Sequence, residues 1–315
     1  IGKNAFYKEN VAFDLREINI PRQIVAIEDN AFCNTQISFA IDLEELSYLG
    51  SRVFYNTFIK HVVIPNSLEE IDFSSFKRCR DLEFKISPTH PSYSLNTANG
   101  NYLVLSKDEK TLIFASMRLE IVLAKGIEVI GEDAFSDGEY NRITLPETVT
   151  TISERSFKNA TVTKGVNIPE GLISVGEEAF YNYYTENTTI SFGHSLQSIG
   201  KNAFTKANIV EYKLSYGITR IDDEAFSTFT YSSLQRPNFK ITIPKSISYL
   251  GKNSLSAFDE ITFLGNPELT NVIVTKDSKK DIKPLEIYIT SEFFLEMQEK
   301  LKDYVDAENV IFFEK

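Results

Sequence analysis

The sequence predicts a solenoid: mostly short parallel β-strands joined by tight turns, with few helices, a β-hairpin set into the array and a strand-and-helix segment closing it. Three observations predict this. The first is a short motif, seen in Ile130-Gly131-Glu132-Asp133-Ala134-Phe135, that recurs along the chain. Its copies end at Phe6, Phe32, Phe54, Phe76, Phe135, Phe157, Phe180, Phe204 and Phe226, and a tenth ends at Leu255. Each copy reads as apolar, often Gly, two variable residues, a small residue, then Phe. The second observation is an apolar residue seven positions before the apolar residue of the motif, usually followed by Pro: Ile20-Pro21, Ile64-Pro65, Leu145-Pro146, Ile168-Pro169 and Ile243-Pro244. Leu123-Ala124, Phe192-Gly193 and Leu214-Ser215 keep that spacing without the Pro. The third is length. The Phe-to-Phe steps are 26, 22, 22, 59, 22, 23, 24 and 22 residues, with 29 more to Leu255. A unit of this size cannot bury its own apolar face, so neighbouring copies must stack and share one core.

Each element follows from the pattern. The segment before the Pro alternates, as in Leu15-Arg16-Glu17-Ile18-Asn19-Ile20, and reads as a strand with one face inward. Pro has no N–H for a sheet ladder and ends that strand. The segment that follows, such as Val149-Thr150-Thr151-Ile152, is extended and starts a second side of the coil. Gly is read as permitting a bend. The small residue keeps the backbone close, and Phe fills the interior, one ring per coil in a ladder along the axis.

The template breaks in three places. Residues 42–49 carry one extra residue, and 228–238 form a longer loop rich in Ser, Thr and Tyr. The largest break is about 88–119. There Tyr102-Leu103-Val104-Leu105 and Thr111-Leu112-Ile113-Phe114 flank the charged turn Lys107-Asp108-Glu109-Lys110 and read as a β-hairpin. Leu123 then resumes the template. After Leu255 the repeat decays. Gly265-Asn266-Pro267 reads as a turn, 276–283 as a charged loop, 285–289 as a strand and 310–313 as a last strand. Between those strands Ser291 is expected to cap a helix with Phe294, Met297, Leu301 and Tyr304 on one face. The organisation expected is a solenoid over 1–263, with the hairpin interruption, and a C-terminal cap over 264–315.

Composition narrows the function. The net charge of −11 argues against nucleic acid, whose phosphates need a basic patch, and against a polybasic membrane-surface site. No apolar run reaches the roughly 18 residues of a membrane helix. The chain opens inside a copy, at Ile1-Gly2-Lys3-Asn4-Ala5-Phe6. It reads as a trimmed piece of a longer protein, with any signal or anchor expected upstream. Cys33 and Cys79 stand two copies apart, roughly 10 Å at strand spacing, beyond the roughly 7 Å Cα reach of a disulfide. Both are expected to be free, buried thiols.

The combined unit, as in Leu145-Pro146-Glu147-Thr148-Val149-Thr150-Thr151-Ile152-Ser153-Glu154-Arg155-Ser156-Phe157, resembles the leucine-rich repeats of the BspA-like family, the Treponema pallidum type. The resemblance covers about residues 1–263. It implies a leucine-rich-repeat right-handed solenoid of the α/β superhelix class. It also implies a secreted or surface-attached protein that acts as an adhesin toward host matrix proteins, host cells or other bacteria. The family has no shared catalytic residues, so no catalytic site is carried over, and the chain is not expected to be an enzyme.

Direct search for chemistry agrees. His61, His90 and His194 are scattered, without metal spacing, and read as surface or loop residues. Glu132-Asp133, Glu177-Glu178 and Asp222-Asp223-Glu224 occupy one variable position of successive copies and read as solvated turns. No loop gathers calcium oxygens, no Ser sits in a nucleophile elbow and no Gly-rich phosphate loop is present. No cofactor or metal is expected. The candidate functional surface is the outward face of the strand ladder, with Asn19, Val63, Lys85, Thr144, Asn167, Ser191, Lys213, Thr242 and Thr262 at its centre. A second candidate is an aromatic patch of Tyr181, Tyr183, Tyr184, Tyr212 and Tyr216, with Tyr231 nearby, since Tyr favours interfaces. Two functions are weighed. One is a cell-surface or secreted binding protein, adhesin-like, for a protein or glycan ligand. The other is a structural spacer that holds other domains. A coherent aromatic or charged patch on the ladder face favours the first.

Overall fold

The computed structural model describes residues 1–7, 21, 23–38, 41–42, 44–187, 189–227, 238–276, 284–307 and 310–315. The 15–20 half-unit with Asn19, the 228–237 loop with Tyr231, and the 277–283 stretch lie outside the described residues. The chain forms a β-solenoid of about 12 turns with one short α-helix, Phe294–Leu301, near its end.

Each coil contributes two strand sides. The first is the alternating segment before the Pro slot. It builds parallel sheets in three blocks: Ile41–Asp42, His61–Ile64 and Glu83–Ile86; then Glu120–Val122 and Arg142–Thr144; then six strands from Thr189–Ser191 to Val310–Glu314. The second side builds the longest sheet, nine strands, most of them only two residues long. It runs in register from Thr111 through Val129, Thr151, Ser174, Ser198 and Arg220 to Tyr249.

Pro turns the chain between the two sides by accepting a hydrogen bond three residues on: Leu68 N–H to Pro65, Val149 to Pro146, Leu172 to Pro169 and Ile247 to Pro244. Gly193 and Ser215 accept the same bond from Leu196 and Ile218, so the turn survives without the Pro ring. A third ladder runs through the Phe turn. Apart from Phe76, each Phe N–H donates to the carbonyl of the residue before the same slot one coil on, Val53 for Phe32 and a small residue elsewhere, from Phe6 to Ala31 (2.8 Å) through Phe157 to Ala179 (2.7 Å) and Phe204 to Ala225 (2.8 Å). A small residue suits most of these positions because the two backbones meet there.

The expected ring ladder forms. Phe6, Phe32, Phe54 and Phe76 stack at 4.9, 5.6 and 6.1 Å. Phe135, Phe157, Phe180, Phe204 and Phe226 stack at 4.9, 4.9, 5.0 and 5.4 Å. After Phe226 the next ring is Phe258, tilted by 58°, rather than a residue at the Leu255 slot.

The role assigned to the repeat Gly needs correction. Gly50, Gly131, Gly176, Gly200 and Gly251 do not adopt positive φ. A Cβ on any of them would lie 2.3–2.7 Å from backbone of the preceding coil. Gly is there for close approach. The bend falls two residues before every repeat Phe except Phe76, on Asn4, Asn30, Arg52, Asp133, Arg155, Glu178, Asn202 and Glu224, all at φ 51–59°. A second left-handed residue follows two after the Phe, as at Asn34, Asn56, Asp137, Asn159 and Asn182. Asn and Asp tolerate this region best among non-glycine residues.

The hairpin forms between Leu103–Ser106 and Thr111–Ala115, and Tyr93–Asn96 adds a third antiparallel strand that the sequence reading lacked. The insertion belongs to the array, because Thr111–Ala115 pairs in parallel with Val129–Ile130. Ala115 N–H donates to Ala134 in the place of a Phe rung. The hydrophobic core divides at this point. Leu103 and Leu105 face the larger cluster that runs to the C-terminal end, and Val104 and Phe114 face the smaller N-terminal one. Among the described residues four ion contacts straddle the seam: Lys77 with Asp133 (2.9 Å), Arg80 with Glu139, and Arg118 with both Asp81 (3.2 Å) and Glu83 (3.8 Å).

At the far end Leu285–Ile289 and Val310–Glu314 extend the six-stranded sheet in register. Ser291 does not cap the helix. It opens a 3₁₀ turn, Ser291–Phe293, and its hydroxyl donates to the Lys315 carbonyl (3.2 Å). Met297 and Leu301 of the helix are buried as expected.

Candidate binding face

The outward ladder is built by strand alternation. In His61–Ile64 and Glu83–Ile86 the second and fourth residues are buried, leaving His61 with Val63, and Glu83 with Lys85, facing out. Register aligns Val63 with Lys85, Ser191 with Lys213, and Thr242 with Thr262. Lys85, Ser191, Lys213 and Thr242 are exposed, and Val63 and Thr144 half-buried. Asn167 is exposed but committed: its amide accepts from Leu145 N–H (2.8 Å) and donates to Leu145 carbonyl (3.0 Å). It supplies a ladder link where the strand pairing is reduced to a single bridge.

Thr262 corrects the expectation. It is 2% exposed, enclosed between Thr242 on one side and the larger Tyr288 on the other. Residues at equivalent positions were missed. Val122 stands opposite Thr144 and is 47% exposed. Tyr288 and Phe313 continue the Thr242–Thr262 row, their rings stacked at 4.8 Å. Tyr288 and Phe313 lie immediately before the last residue of their strands, and Val122 immediately before Leu123, which was the legible signal.

The face is polar and largely self-neutralised. His61 pairs with Glu83 (3.0 Å), Glu211 with Lys213 (3.7 Å) and Lys240 with Glu260. Thr189 donates to Glu211 (3.3 Å) and Tyr288 to Glu286 (3.0 Å). The last bond, with burial and the Glu286 charge, holds the Tyr288 phenol above its ordinary pKa.

The five tyrosines do not form one patch. Tyr183 and Tyr212 are buried, because their rings pack edge-on into the Phe ladder: Tyr183 against Phe180 (5.2 Å), Tyr212 against Phe204 and Phe226 (5.2 and 4.6 Å). Tyr181 is half-buried, with the Lys158 and Lys206 ammonium groups 5.2 and 5.1 Å from its ring. Tyr184 and Tyr216 are exposed. Tyr216 lies parallel to His194, with ring centroids 6.2 Å apart.

Two further expectations change. His90 is fully buried, not a surface residue. Its Nδ1 accepts from Ser92 and Tyr93 N–H, both at 3.2 Å, which leaves Nε2 to donate to Leu68 carbonyl (3.2 Å). Burial holds its pKa below the ordinary value despite the neighbouring carbonyls. Asp133 is more than a solvated turn. Burial raises its pKa, but Lys77, Ser136 and Arg155 outweigh that and leave the carboxyl below its usual range. The Lys77 side chain is only 9% exposed.

Cys33 and Cys79 are free and buried, and burial pushes Cys79 up to about 11. Among the described residues no group of three His, Cys, Asp or Glu could hold a metal, and no helix is long and apolar enough to cross a membrane.

A family model described as BspA type leucine rich repeat region matches residues 1–98 and 128–262 in six copies. No curated protein matches the chain. Among solved structures it is similar to a leucine-rich repeat protein from Eubacterium ventriosum, at 18% identity over 74% of each chain with a TM-score of 0.45. It is also similar to the pneumococcal vaccine antigen PcpA, at 18% identity over 94% of this chain and 78% of that one with a TM-score of 0.49. A leucine rich cell surface protein from Faecalibacterium prausnitzii matches at 18% identity over 78% and 53%, with a TM-score of 0.42.

Proposed function

We propose, from the premise that this chain belongs to the BspA type leucine-rich repeat family, that it is a non-enzymatic binding protein of the cell surface or extracellular space. It recognises a protein or glycan, adhesin-like, through the outward face of its strand ladder. One observation carries this reading. In the six-stranded sheet the constant residues all point inward, while Thr189, Ser191, Glu211, Lys213, Lys240 and Thr242 stand outward in register. None of these six is required by the repeat. An array of hydroxyls and paired charges at about 4.8 Å strand spacing is suited to many weak polar contacts with a neutral ligand surface.

The alternative is a spacer whose array only holds other domains. Capture of the 1–315 chain on immobilised host matrix proteins and on a glycan array separates the two. Binding that weakens about tenfold or more with Lys213→Ala and Thr242→Ala together supports the ladder face. Binding that ignores both substitutions removes the ladder face from the account. No capture on either surface favours the spacer.

A further inference from the structure

The slot that follows the Pro position is a solvated turn in most coils. It holds Asn66, Lys125, Glu147, Glu170 and Lys245, all exposed. In two adjacent coils it holds rings instead, His194 and Tyr216. Tyr216 is 70% exposed, more than any other described aromatic side chain. His194 is exposed beside it, and the two ring planes lie within 3° of parallel. Nothing in the repeat asks for an aromatic residue here, and a large apolar side chain left in water forgoes about 1.5–3 kcal/mol of burial.

The rings stand on a closely packed turn. Both coils lack the Pro, with Gly193 and Ser215 in its place. The Ser215 hydroxyl donates to the Phe192 carbonyl (2.7 Å) and ties the second coil to the first. A Cβ on Gly217 would lie 1.8 Å from the His194 carbonyl oxygen, so the chain after Tyr216 passes His194 where no other residue fits. A Cβ on Gly193 would lie 2.5 Å from both the carbonyl oxygen and a carboxylate oxygen of Glu170, which sets that carboxylate at the foot of the pair. The Glu147 carboxylate follows one coil back, accepting from Glu170 N–H (3.2 Å). Among the described residues neither carboxylate is in an ion pair.

The arrangement fits a sugar ring. The face of an aromatic ring is electron-rich, and a pyranose presents a face of C–H groups rimmed by hydroxyl donors. A pyranose stacked on the pair turns its rim toward Glu170, whose carboxylate accepts hydroxyl protons. The two carboxylates also repel an anionic saccharide. The pair is too small for a protein. A stable interface takes about 800 Å² per partner around an apolar centre. The other exposed large apolar side chains of residues 165–227, Ile173 and Tyr184, lie on the second strand side and past the Phe turn. We propose that His194 and Tyr216 form a stacking platform for a neutral pyranose, with Glu170 accepting from its hydroxyls. This rests on the reading of the chain as a protein- or glycan-binding module, and it names a glycan at a place outside the ladder face.

Saturation-transfer NMR on the 1–315 chain tests it, with methyl β-glucopyranoside, methyl β-galactopyranoside and methyl β-glucuronide as probes at about 1–10 mM. Transfer is expected to the ring C–H protons of at least one neutral glycoside, and about threefold less or weaker still to the glucuronide. Tyr216→Ala should remove the transfer, and Tyr216→Phe, which keeps the ring, should retain it. The side chain is exposed, so an unchanged circular dichroism melt confirms that both variants fold. Lys213→Ala with Thr242→Ala should leave the transfer in place. No transfer from either neutral glycoside overturns the proposal. So do undiminished transfer in Tyr216→Ala, equal loss in Tyr216→Phe, loss in the ladder-face pair, or a glucuronide signal equal to the neutral ones. Capture of the chain on a matrix protein without glycoside transfer removes the platform and leaves the wider binding reading standing.

Discussion

The two halves of the ring ladder differ. From Phe135 to Phe204 the rings repeat at 4.9–5.0 Å and stay within 12° of parallel. From Phe6 to Phe76 the spacing opens from 4.9 to 6.1 Å and the last pair tilts by 20°. Phe76 then meets Phe84 edge-on at 5.3 Å, and Phe73, Phe84, Phe114 and Tyr93 form a crossed cluster around it. The same motif spacing produces both ladders. What differs is the neighbour. A coil flanked by two like coils stacks its ring on theirs, and the coil beside the hairpin packs its Phe76 ring against Phe73 and Phe84 instead. Regularity in this fold is a property of adjacent pairs of coils.

Four expected outcomes sharpen or break that comparison. The largest is at the centre of the regular stack. Phe180→Ala should cost about 3–5 kcal/mol, the range for a buried aromatic lost with little collapse, and Phe6→Ala, at the half-buried end of the other stack, should cost clearly less. Urea unfolding of the two variants measures the difference. Equal losses would contradict the neighbour argument.

Next comes Gly200→Ala. Its added Cβ would meet Glu177 N at 2.7 Å, so overpacking of about 1–3 kcal/mol is expected, whereas Gly2→Ala, with open space around it, should be neutral. If Gly200→Ala is harmless, the close-approach role of the repeat Gly is wrong.

The seam should respond to charge. Lys77→Met removes the ammonium from Asp133 and should cost about 1–2 kcal/mol, less than a fully buried pair because Asp133 is partly exposed. The unfolding transition should broaden as the two arrays uncouple. An unchanged, equally sharp transition would place the coupling in the hairpin packing alone.

The smallest effect is pH dependence from His90. Its pKa is lowered on folding from an ordinary value of 6.5, so below that pH the unfolded chain binds a proton that the folded chain refuses. Its contribution is complete above about 6.5 and is lost as pH falls toward the depressed folded value. Glu69, Lys107 and the Tyr93 ring are the other groups that face it. His90→Gln should flatten the slope of stability between neutral pH and the onset of carboxylate protonation. A slope identical to the parent would assign it elsewhere.

The fold was legible because its signal is repeated. The coil spacing, the Phe ladder, the hairpin and both thiols all follow from apolar spacing and Cys position alone. What was not legible depends on contacts between coils. Gly looks the same in sequence whether it bends the chain or lets two backbones touch. Asp133 looks like any variable turn residue until Lys77, 56 positions away, is placed beside it. Tyr183, Tyr212 and His90 are polar types that fill interior gaps, and only packing separates them from Tyr184 and Tyr216. Thr262 keeps the ladder alternation but is covered by a neighbour from beyond the repeat.

The central claim is that the repeat residues build the solenoid and the residues it leaves free on the ladder face do the binding. The direct measurement is biolayer interferometry of the 1–315 chain against any matrix protein or glycan that captures it, beside a Lys85→Ala, Lys213→Ala and Thr242→Ala triple variant. A loss of about tenfold or more in affinity at an unchanged melting temperature is expected. Full affinity retained by the folded triple variant would contradict the claim.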